Sequence, residues 1–241
     1  MSEEFYDGEG VRDRYLEHRR QRDNPNDAIE RPAFLALAGS LQGLAVLDLG
    51  CGDARFGREA LEAGAHSYLG IEASEGMAAI GRKTLEGTSG VVEHMPIESW
   101  QPAPEGVDLV TSRLALNHVE NLAEVFRNVH AALRPGGRLV VSVEHPVITS
   151  NFASLEGGRR TTWLVDNYFQ TGARPHMWMG HEVVKYHRTF DDYVSLIQES
   201  GLVLEAMRES RPARANFHSE EEYPRRLRIP LFLFLSARKQ R

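Results

Sequence analysis

Residues 46–57 read Val-Leu-Asp-Leu-Gly-Cys-Gly-Asp-Ala-Arg-Phe-Gly, and this stretch decides the fold. An apolar run stops at Asp48, a glycine-rich turn follows, and a helical pattern begins near Asp53. A buried parallel strand passes into a helix in this way in a doubly wound α/β sheet, where ligands bind at the carboxyl ends of the strands. Gly50 and Gly52 lack a Cβ, so the backbone can turn sharply there and a ligand can approach it closely.

The spacing of the glycines separates two classes of ligand-binding turn. A dinucleotide-binding turn has the pattern G-x-G-x-x-G, and its third glycine would fall at Arg55 of this chain. The third glycine is Gly57 instead, two positions later. A nucleotide-dependent oxidoreductase is therefore disfavoured, and we keep it only as an alternative.

Length and composition limit the class of protein. The 241 residues fit one large domain, and the net charge of −6 argues against a general nucleic-acid binder, which would carry a basic face. The single cysteine excludes an internal disulfide and fits a reducing compartment. No apolar run approaches the roughly 18 residues of a membrane span, and the charged N-terminus has no signal-peptide core. We expect a cytoplasmic monomer or homodimer with neither membrane nor nucleic-acid partners.

Strand and helix patterns alternate along most of the chain, which predicts a parallel sheet with right-handed crossovers. Ser74, Asn121 and Thr189 stand where helix N-caps are expected, and Gly201 stops the last of these helices. Pro135-Gly136-Gly137 is expected to end the helix before strand five. We therefore predict an α/β, Rossmann-like doubly wound sheet of about seven strands, mostly parallel, at 45–49, 67–71, 90–93, 107–111, 138–143, 203–207 and 229–237.

Residues 145–187 break the alternation. They show no clear period and hold two of the three tryptophans, Trp163 and Trp178. A long segment of this kind inside a compact domain is usually functional or disordered, and its aromatic content speaks against disorder. We predict an aromatic-rich insertion after strand five that forms a lid or a substrate wall, with a passive structural insertion as the alternative. The N-terminal arm around Tyr15–Arg20 is expected to help it close.

Four stretches resemble, in order and spacing, the motifs of class I S-adenosylmethionine-dependent methyltransferases. They are residues 46–57, Tyr68–Ser74, Val107–Val119 and Leu133–Leu139. The segments Glu144-His145-Pro146 and Lys185–Thr189 resemble a bacterial small-molecule branch of that family, of type 11 or type 12. The resemblance implies transfer of a methyl group from S-adenosyl-L-methionine, with S-adenosyl-L-homocysteine as the product, to an N, O or C atom of a small-molecule acceptor.

Other functions remain to be weighed against this one. A non-catalytic S-adenosylmethionine-binding protein stays open, because few residues of this fold are obligatory for chemistry. A nucleic-acid methyltransferase is disfavoured by the acidic balance, and by Asn117-His118-Val119 where enzymes that methylate DNA amino groups carry an Asn/Asp-Pro-Pro-aromatic run.

We expect a single methyltransferase domain. It is divided into an N-terminal arm and helices (1–43), a cofactor-binding core (44–144), the insertion (145–187) and the C-terminal part of the sheet (188–241).

The resemblance also implies a cofactor site. Glu72 follows Gly50 by 22 positions, and a carboxylate there can accept hydrogen bonds from both ribose hydroxyls. Asp48 is expected to receive the cofactor's ammonium group through water or the backbone, and Met77 to pack on the ribose or adenine. His94 stands where the family has an Asp that meets the adenine, unless Glu93 takes that place with the register shifted by one. The expected cofactor-binding residues are Asp48, Gly50, Cys51, Gly52, Glu72, Ala73, Met77, His94, Met95 and Arg113.

Methyl transfer to a hydroxyl or a protonated amine benefits from a general base, and His is best matched to neutral pH. The candidates are His118 after strand four, His145 after strand five and His187 before the last crossover helix. Tyr186 is expected to orient the acceptor. All four lie near the carboxyl edge of the predicted sheet, so we predict that they form the acceptor pocket. No metal is expected, because the lone cysteine and the scattered His residues give no ligand pair at zinc spacing.

Overall fold

A computed structural model describes residues 7–8, 10–11, 14, 17, 23–155, 162–178 and 180–241. Of the arm expected to close over the ligands, Tyr15, Arg19 and Arg20 lie outside the described residues.

The described chain is built around one seven-stranded sheet with the order β3-β2-β1-β4-β5-β9-β8. The first five strands of that order are parallel, and β9 is antiparallel to both β5 and β8. This confirms the predicted doubly wound, mostly parallel sheet. The strands are β1 (Ala45–Leu49), β2 (Ser67–Glu72), β3 (Val91–His94), β4 (Val107–Arg113), β5 (Leu133–Glu144), β8 (Leu202–Glu209) and β9 (Phe232–Lys239), while β6 (Gly172–Trp178) and β7 (His181–His187) form a separate hairpin.

Helices cover both faces of the sheet. Side chains alternate between the faces of a strand, so Val46 of β1 packs into one apolar core and Leu47 into the other. The first core includes Phe34 and Phe56, and the second includes Phe126 and other helix residues. None of the described helices is long and apolar enough to cross a bilayer. The helices are α1 (Arg31–Ala38), which continues a helical turn at Asn26–Glu30, α2 (Arg55–Glu62), α3 (Glu75–Thr84), α4 (Leu122–Ala132), α5 (Pro146–Thr149), α6 (Phe190–Glu199) and α7 (Glu222–Arg226).

The predicted helix caps are confirmed. The hydroxyl of Ser74 accepts the Met77 N–H at 3.1 Å, and Thr189 and Asp192 form a reciprocal capping box. Asn121 Oδ1 accepts the backbone N–H three residues later at 3.3 Å. The predicted start of strand five is wrong, because β5 begins at Leu133, which already pairs with β4. The Pro-Gly-Gly turn therefore lies inside the strand and not before it.

The segment after β5 is more regular than its sequence suggests. Strands β6 and β7 pair antiparallel, with Arg174 opposite Lys185 and His176 opposite Val183. Burial alternates along β6, where Arg174, His176 and Trp178 are half-buried and the residues between them are exposed. The expectation of an aperiodic segment is wrong here because polar His176 and Lys185 occupy the inner face. Burial therefore alternates along the strand, although hydrophobicity does not.

Candidate functional site

A cavity of about 820 Å³ lies at the carboxyl ends of the central strands. Gly50 follows β1, Glu72 ends β2, Arg113 ends β4 and Glu144 ends β5, and all four line it. The chain leaves β1 toward β2 on one side and returns to β4 on the other, so the cavity lies at the point where the strand order reverses. Ligands of open α/β sheets bind at this topological position.

The glycine turn after β1 forms the floor of one half of the cavity. The N–H groups of Gly50 and Cys51 donate to the carbonyl of Ile71, at 2.8 and 3.0 Å. Gly50 has φ of +77°, and a Cβ added to it would lie 2.2 Å from the Cβ of Ala115. Gly52 has φ of +58°. Side chains are therefore excluded from Gly50 by both space and backbone conformation, which leaves backbone exposed to a ligand.

Glu72 joins the end of β2 to this turn. Its Oε2 accepts the Gly52 N–H at 2.8 Å, and its Oε1 accepts the Ser74 N–H at 3.0 Å. Burial raises the pKa of Glu72, and the two backbone donors act in the opposite direction. Each carboxylate oxygen has a second lone pair, so the side chain can still accept hydrogen bonds from a ligand in the cavity that it lines.

Asp48 and Cys51 lie below the turn. The two oxygens of Asp48 accept hydrogen bonds from Tyr68 at 2.7 Å and Thr111 at 2.8 Å, so its side chain connects three neighbouring strands. Burial raises the pKa of Asp48 and also that of the Cys51 thiol, which disfavours a nucleophilic thiolate. The sulfur packs over Gly70, where an added Cβ would lie 2.5 Å from it. Both residues line the cavity, but a contact of Asp48 with the cofactor's ammonium stays a prediction.

Arg113 is held by a residue that the sequence did not single out. Its guanidinium forms an ion pair with Glu30, which is fully buried and also accepts a 2.6 Å hydrogen bond from Ser142. The same guanidinium lies over the rings of Phe34 and Phe56. Burial alone would lower the pKa of Arg113, but the Glu30 carboxylate raises it above its ordinary value. Arg113 lines the cavity as a fixed positive charge.

The expected adenine contacts are placed differently. Ala73 and Met77 line the cavity, whereas His94 and Met95 do not. His94 Nε2 lies 2.9 Å from the carbonyl of Ala73, and its Nδ1 lies 2.9 Å from Glu75 Oε2. Both ring nitrogens therefore face acceptors, and neither is left to accept from an adenine amino group. The neighbouring wall is formed by Ile97 and Glu98 instead.

The other half of the cavity contains an ion pair that is mostly, but not fully, buried. Lys185 Nζ of β7 lies 2.6 Å from Glu144 Oε1 at the end of β5. The ammonium also lies 5.7 Å from the ring centroids of Phe152 and Trp178. Burial would raise the pKa of Glu144, but the adjacent Lys185 lowers it below its ordinary value, so the carboxylate is ionised. Trp163 and His176 line the same half.

His118 also lines this half and is the one catalytic candidate that reaches the cavity. Burial, followed by the charge of Lys185, lowers its pKa from 6.5 to about 4, so the imidazole is neutral at pH 7. Among the described residues its Nδ1 atom is buried without a hydrogen-bond partner. A neutral imidazole can accept a proton at such a nitrogen.

The other three catalytic candidates lie elsewhere. His145 caps α5 through Nδ1 and faces Glu209 through Nε2 at 3.1 Å. His187 contacts Thr149 and the carbonyl of Tyr168, both at 2.8 Å. Neither lines the cavity, and their ring nitrogens are already used. Tyr186 points to the opposite side of β7 from Lys185 because strand side chains alternate, and its hydroxyl binds Glu120. The structure therefore does not bring the four predicted residues together in one pocket, and of the four only His118 lines this half of the cavity, with Glu144, His176 and Lys185.

Comparisons with known proteins identify relatives that cover most of the chain. A family model named "Methyltransferase domain" matches residues 46–137. The crystal structure of an S-adenosylmethionine-dependent methyltransferase from Mesorhizobium loti is 38% identical and has a TM-score of 0.79, with coverage of 87% of this chain and 97% of that one. A structure from Listeria monocytogenes described in similar terms is 30% identical, with a TM-score of 0.80 and coverage of 88% and 97%.

A curated relative matches part of the chain. The ubiquinone biosynthesis O-methyltransferase of Bordetella avium is 41% identical over 106 residues. That match covers 42% of this chain and 43% of the Bordetella avium protein, so less than half of either protein is aligned.

Proposed function

Because the chain belongs to the S-adenosylmethionine-dependent methyltransferases, we propose that it transfers the cofactor's methyl group to a small-molecule acceptor bound in the cavity. The observation that carries the proposal is the continuity of this cavity. It joins the glycine turn to the half lined by His118, Glu144 and Lys185. One end can therefore hold a cofactor while the other holds the group that receives the methyl.

The residues of the first half fit the cofactor. A Cβ at Gly50 would collide with Ala115, so the bare backbone there is a cradle that side chains would close. The buried Glu72 carboxylate keeps lone pairs for the ribose hydroxyls, and Ala73 and Met77 offer apolar contacts beside it. S-adenosylmethionine, when bound, supplies a methyl group on an electrophilic sulfonium. The chain's own residues need to bind the two ligands, hold the acceptor atom in line with the methyl group and exclude water.

The size of the cavity supports a small acceptor. Sites for small molecules and cofactors commonly occupy about 300–1,000 Å³, and this cavity of about 820 Å³ has to hold both the cofactor and the acceptor, so the space left for the acceptor is small. The net charge of −6 gives no general attraction for a polyanion. A metabolite therefore fits better than a nucleic acid.

His118 is our candidate to take a proton from the acceptor. It is neutral at pH 7, its Nδ1 has no partner within the described chain, and it lines the cavity. The Asn117 side chain fixes its surroundings, because Oδ1 of Asn117 accepts the Glu144 backbone N–H at 2.8 Å. An acceptor that loses a proton on methylation, such as a hydroxyl or an amine, could use this nitrogen, whereas a carbanion would need only positioning.

A non-catalytic S-adenosylmethionine-binding protein is the second candidate. It would need only the half of the cavity at the glycine turn. It would not need the half lined by His118, Glu144 and Lys185, which we call the acceptor half. The His118 nitrogen and the Glu144 oxygen are buried and have no hydrogen-bond partner among the residues that the structure describes. Such atoms favour an enzyme, because in a protein that bound only the cofactor they would lose their hydrogen bonds to water without gaining others. The partial match to a ubiquinone biosynthesis enzyme covers too little of either chain to name the acceptor.

Two measurements test the proposal. Calorimetric titration should show binding of S-adenosylmethionine and S-adenosylhomocysteine but not of NAD. Incubation with methyl-labelled S-adenosylmethionine and a metabolite extract should then move the label into a new small molecule. Binding without any transfer across extracts would support the non-catalytic alternative.

A further inference from the structure

We propose that Asp7 is a positioning residue for the cofactor, because it holds Ser74 in place and, through Ser74, the carboxylate of Glu72. The inference rests on the proposed function for the identity of the ligand and for the contact of Glu72 with the ribose hydroxyls. It adds to that function a residue from the start of the chain, 67 positions before Ser74.

The carboxylate of Asp7 lies at the N-terminus of α3. Its Oδ1 accepts the Ser74 hydroxyl hydrogen at 2.7 Å and the Gly76 N–H at 2.9 Å, and its Oδ2 accepts the Glu75 N–H at 3.2 Å. Partial burial would raise the pKa of Asp7, but these three bonds lower it below its ordinary value, so the carboxylate is ionised at neutral pH. A negative charge is favourable there, because the first N–H groups of a helix carry partial positive charge.

Ser74 connects Asp7 to the cofactor half of the cavity. It is buried, its hydroxyl oxygen accepts the Met77 N–H at 3.1 Å, and its one hydroxyl hydrogen is donated to Asp7. Its backbone N–H donates to Glu72 Oε1 at 3.0 Å. Without Asp7, this buried hydroxyl hydrogen would lose its acceptor and the first turn of α3 would be held less firmly.

The position of Glu72 matters before the ligand arrives. A side chain that becomes ordered only on binding lowers the affinity, whereas one that is already ordered does not. Ala73 and Met77 flank Ser74 in the chain and line the cavity together with Glu72. A fixed Ser74 therefore keeps three cavity-lining residues in their bound arrangement.

Asp7 is itself held by a buried neighbour. Asp7 is exposed, and bonds to exposed charged groups are weak when the chain that carries them is free to move. Val11, four positions later, is fully buried against Val183 of β7, with Trp178 beside it. Its N–H donates to the carbonyl of Gly8 at 3.1 Å. This attachment restricts the segment and so reduces the entropy cost of placing Asp7 on α3.

A helix cap that only adds stability is the alternative role for Asp7. Acidic side chains at helix N-termini commonly have that role alone. Helix α6 offers a comparison, because Asp192 accepts the Thr189 N–H at 2.7 Å and its hydroxyl hydrogen at 2.8 Å. Neither Thr189 nor Asp192 lines the cavity. Asp192→Ala is therefore the matched control for Asp7→Ala.

The test is a double-substitution cycle on binding of S-adenosylhomocysteine, measured by calorimetric titration. Asp7→Ala should weaken binding about fivefold, a typical effect of lost side-chain hydrogen bonds. In a Glu72→Ala protein the same substitution should change the affinity by less than about twofold, because the residue through which Asp7 acts is absent. Asp192→Ala should lower the free energy of unfolding and leave the affinity at the wild-type value.

A ligand analogue locates the effect on the ribose. The 2′,3′-dideoxy analogue of S-adenosylhomocysteine lacks both hydroxyls that Glu72 would bind. Its affinity should be the same for wild type and for Asp7→Ala. A general loss of structure in Asp7→Ala would instead weaken both ligands equally.

Four outcomes overturn the proposal. They are wild-type affinity in Asp7→Ala, wild-type affinity in Glu72→Ala, an undiminished effect of Asp7→Ala in the Glu72→Ala protein, and an equal loss for the dideoxy analogue. Labelled methyl transfer on the same samples separates this inference from the proposed function. Transfer by wild type with independent effects of Asp7 and Glu72 overturns only the inference, and dependent effects without any transfer overturn only the proposed function.

Discussion

Glu72 Oε2 accepts the backbone N–H of Gly52 at 2.8 Å, which ties the end of β2 to the glycine turn that follows β1. The two residues are 20 positions apart in sequence and meet because β1 and β2 pair in parallel register. The bond fixes the carboxylate against the bare backbone of the turn. A ligand at this place therefore meets an ordered acceptor and an ordered peptide together.

The first prediction concerns this carboxylate. Glu72→Ala should weaken S-adenosylmethionine binding by about 1.5–3 kcal/mol, the usual value of hydrogen bonds to a charged group. Calorimetric titration of the folded variant is the measurement, and Glu86→Ala, at an exposed position after α3, is the control. Wild-type affinity in a folded Glu72→Ala protein would remove Glu72 from the cofactor site.

The second prediction concerns Gly50. Gly50 and Gly87 both have φ of +77°, but an added Cβ would lie 2.2 Å from Ala115 at Gly50 and would meet nothing within 4 Å at Gly87. Gly87→Ala should cost about 1 kcal/mol of unfolding free energy from backbone strain. Gly50→Ala should cost more and also weaken cofactor binding. Chemical denaturation and titration give both values, and equal effects of the two substitutions would show that the turn is not closely packed.

The third prediction concerns His118 and uses His187 as its comparison. His118→Ala should lower turnover roughly 10²–10⁴-fold with little change in cofactor affinity, if the acceptor loses its proton to this residue. His187→Ala should instead lower stability, because its ring joins Thr149 to the backbone of Tyr168, and turnover per folded enzyme should change little. If His187→Ala lowered turnover more than His118→Ala does, His187 and not His118 would be the residue that contacts the acceptor.

The fourth prediction follows from the depressed pKa of His118. The unfolded chain binds a proton near pH 6.5, whereas the folded chain does so only near a pKa of about 4. Stability is therefore fully present above pH 6.5 and is lost as pH falls toward 4, by at most about 3 kcal/mol from this residue. Urea denaturation across this range should show a smaller loss in His118→Gln. An unchanged pH dependence in that variant would mean that other groups cause the loss.

Sequence patterns could predict the sheet and the glycine turn because both depend on local signals. A buried apolar run and the two glycines that follow it stand close together in the chain, and recognising them needs no knowledge of distant contacts. The caps at Ser74 and Thr189 are local signals of the same kind. These are the parts of the prediction that the structure confirms.

The acceptor half could not be predicted in the same way. Lys185 and Glu144 are 41 residues apart and meet only because a hairpin folds over the sheet edge. The turn at Gly180 and the spacing of His176 and Trp178 were the available signal for that hairpin, but polar residues on its inner face hide the alternation. His145 and His187 lie at the carboxyl edge of the sheet, as predicted, but their ring nitrogens already form hydrogen bonds with neighbouring backbone and side chains.

The most direct measurement is the destination of a labelled methyl group from S-adenosylmethionine in wild type and in Ile148→Trp, whose larger ring would fill the acceptor half of the cavity. Cofactor affinity is measured on the same samples. The account predicts that wild type moves the label into a small molecule, and that Ile148→Trp binds the cofactor normally but transfers little label. Label that ends in nucleic acid or protein, or wild-type transfer by a folded Ile148→Trp enzyme, would contradict it.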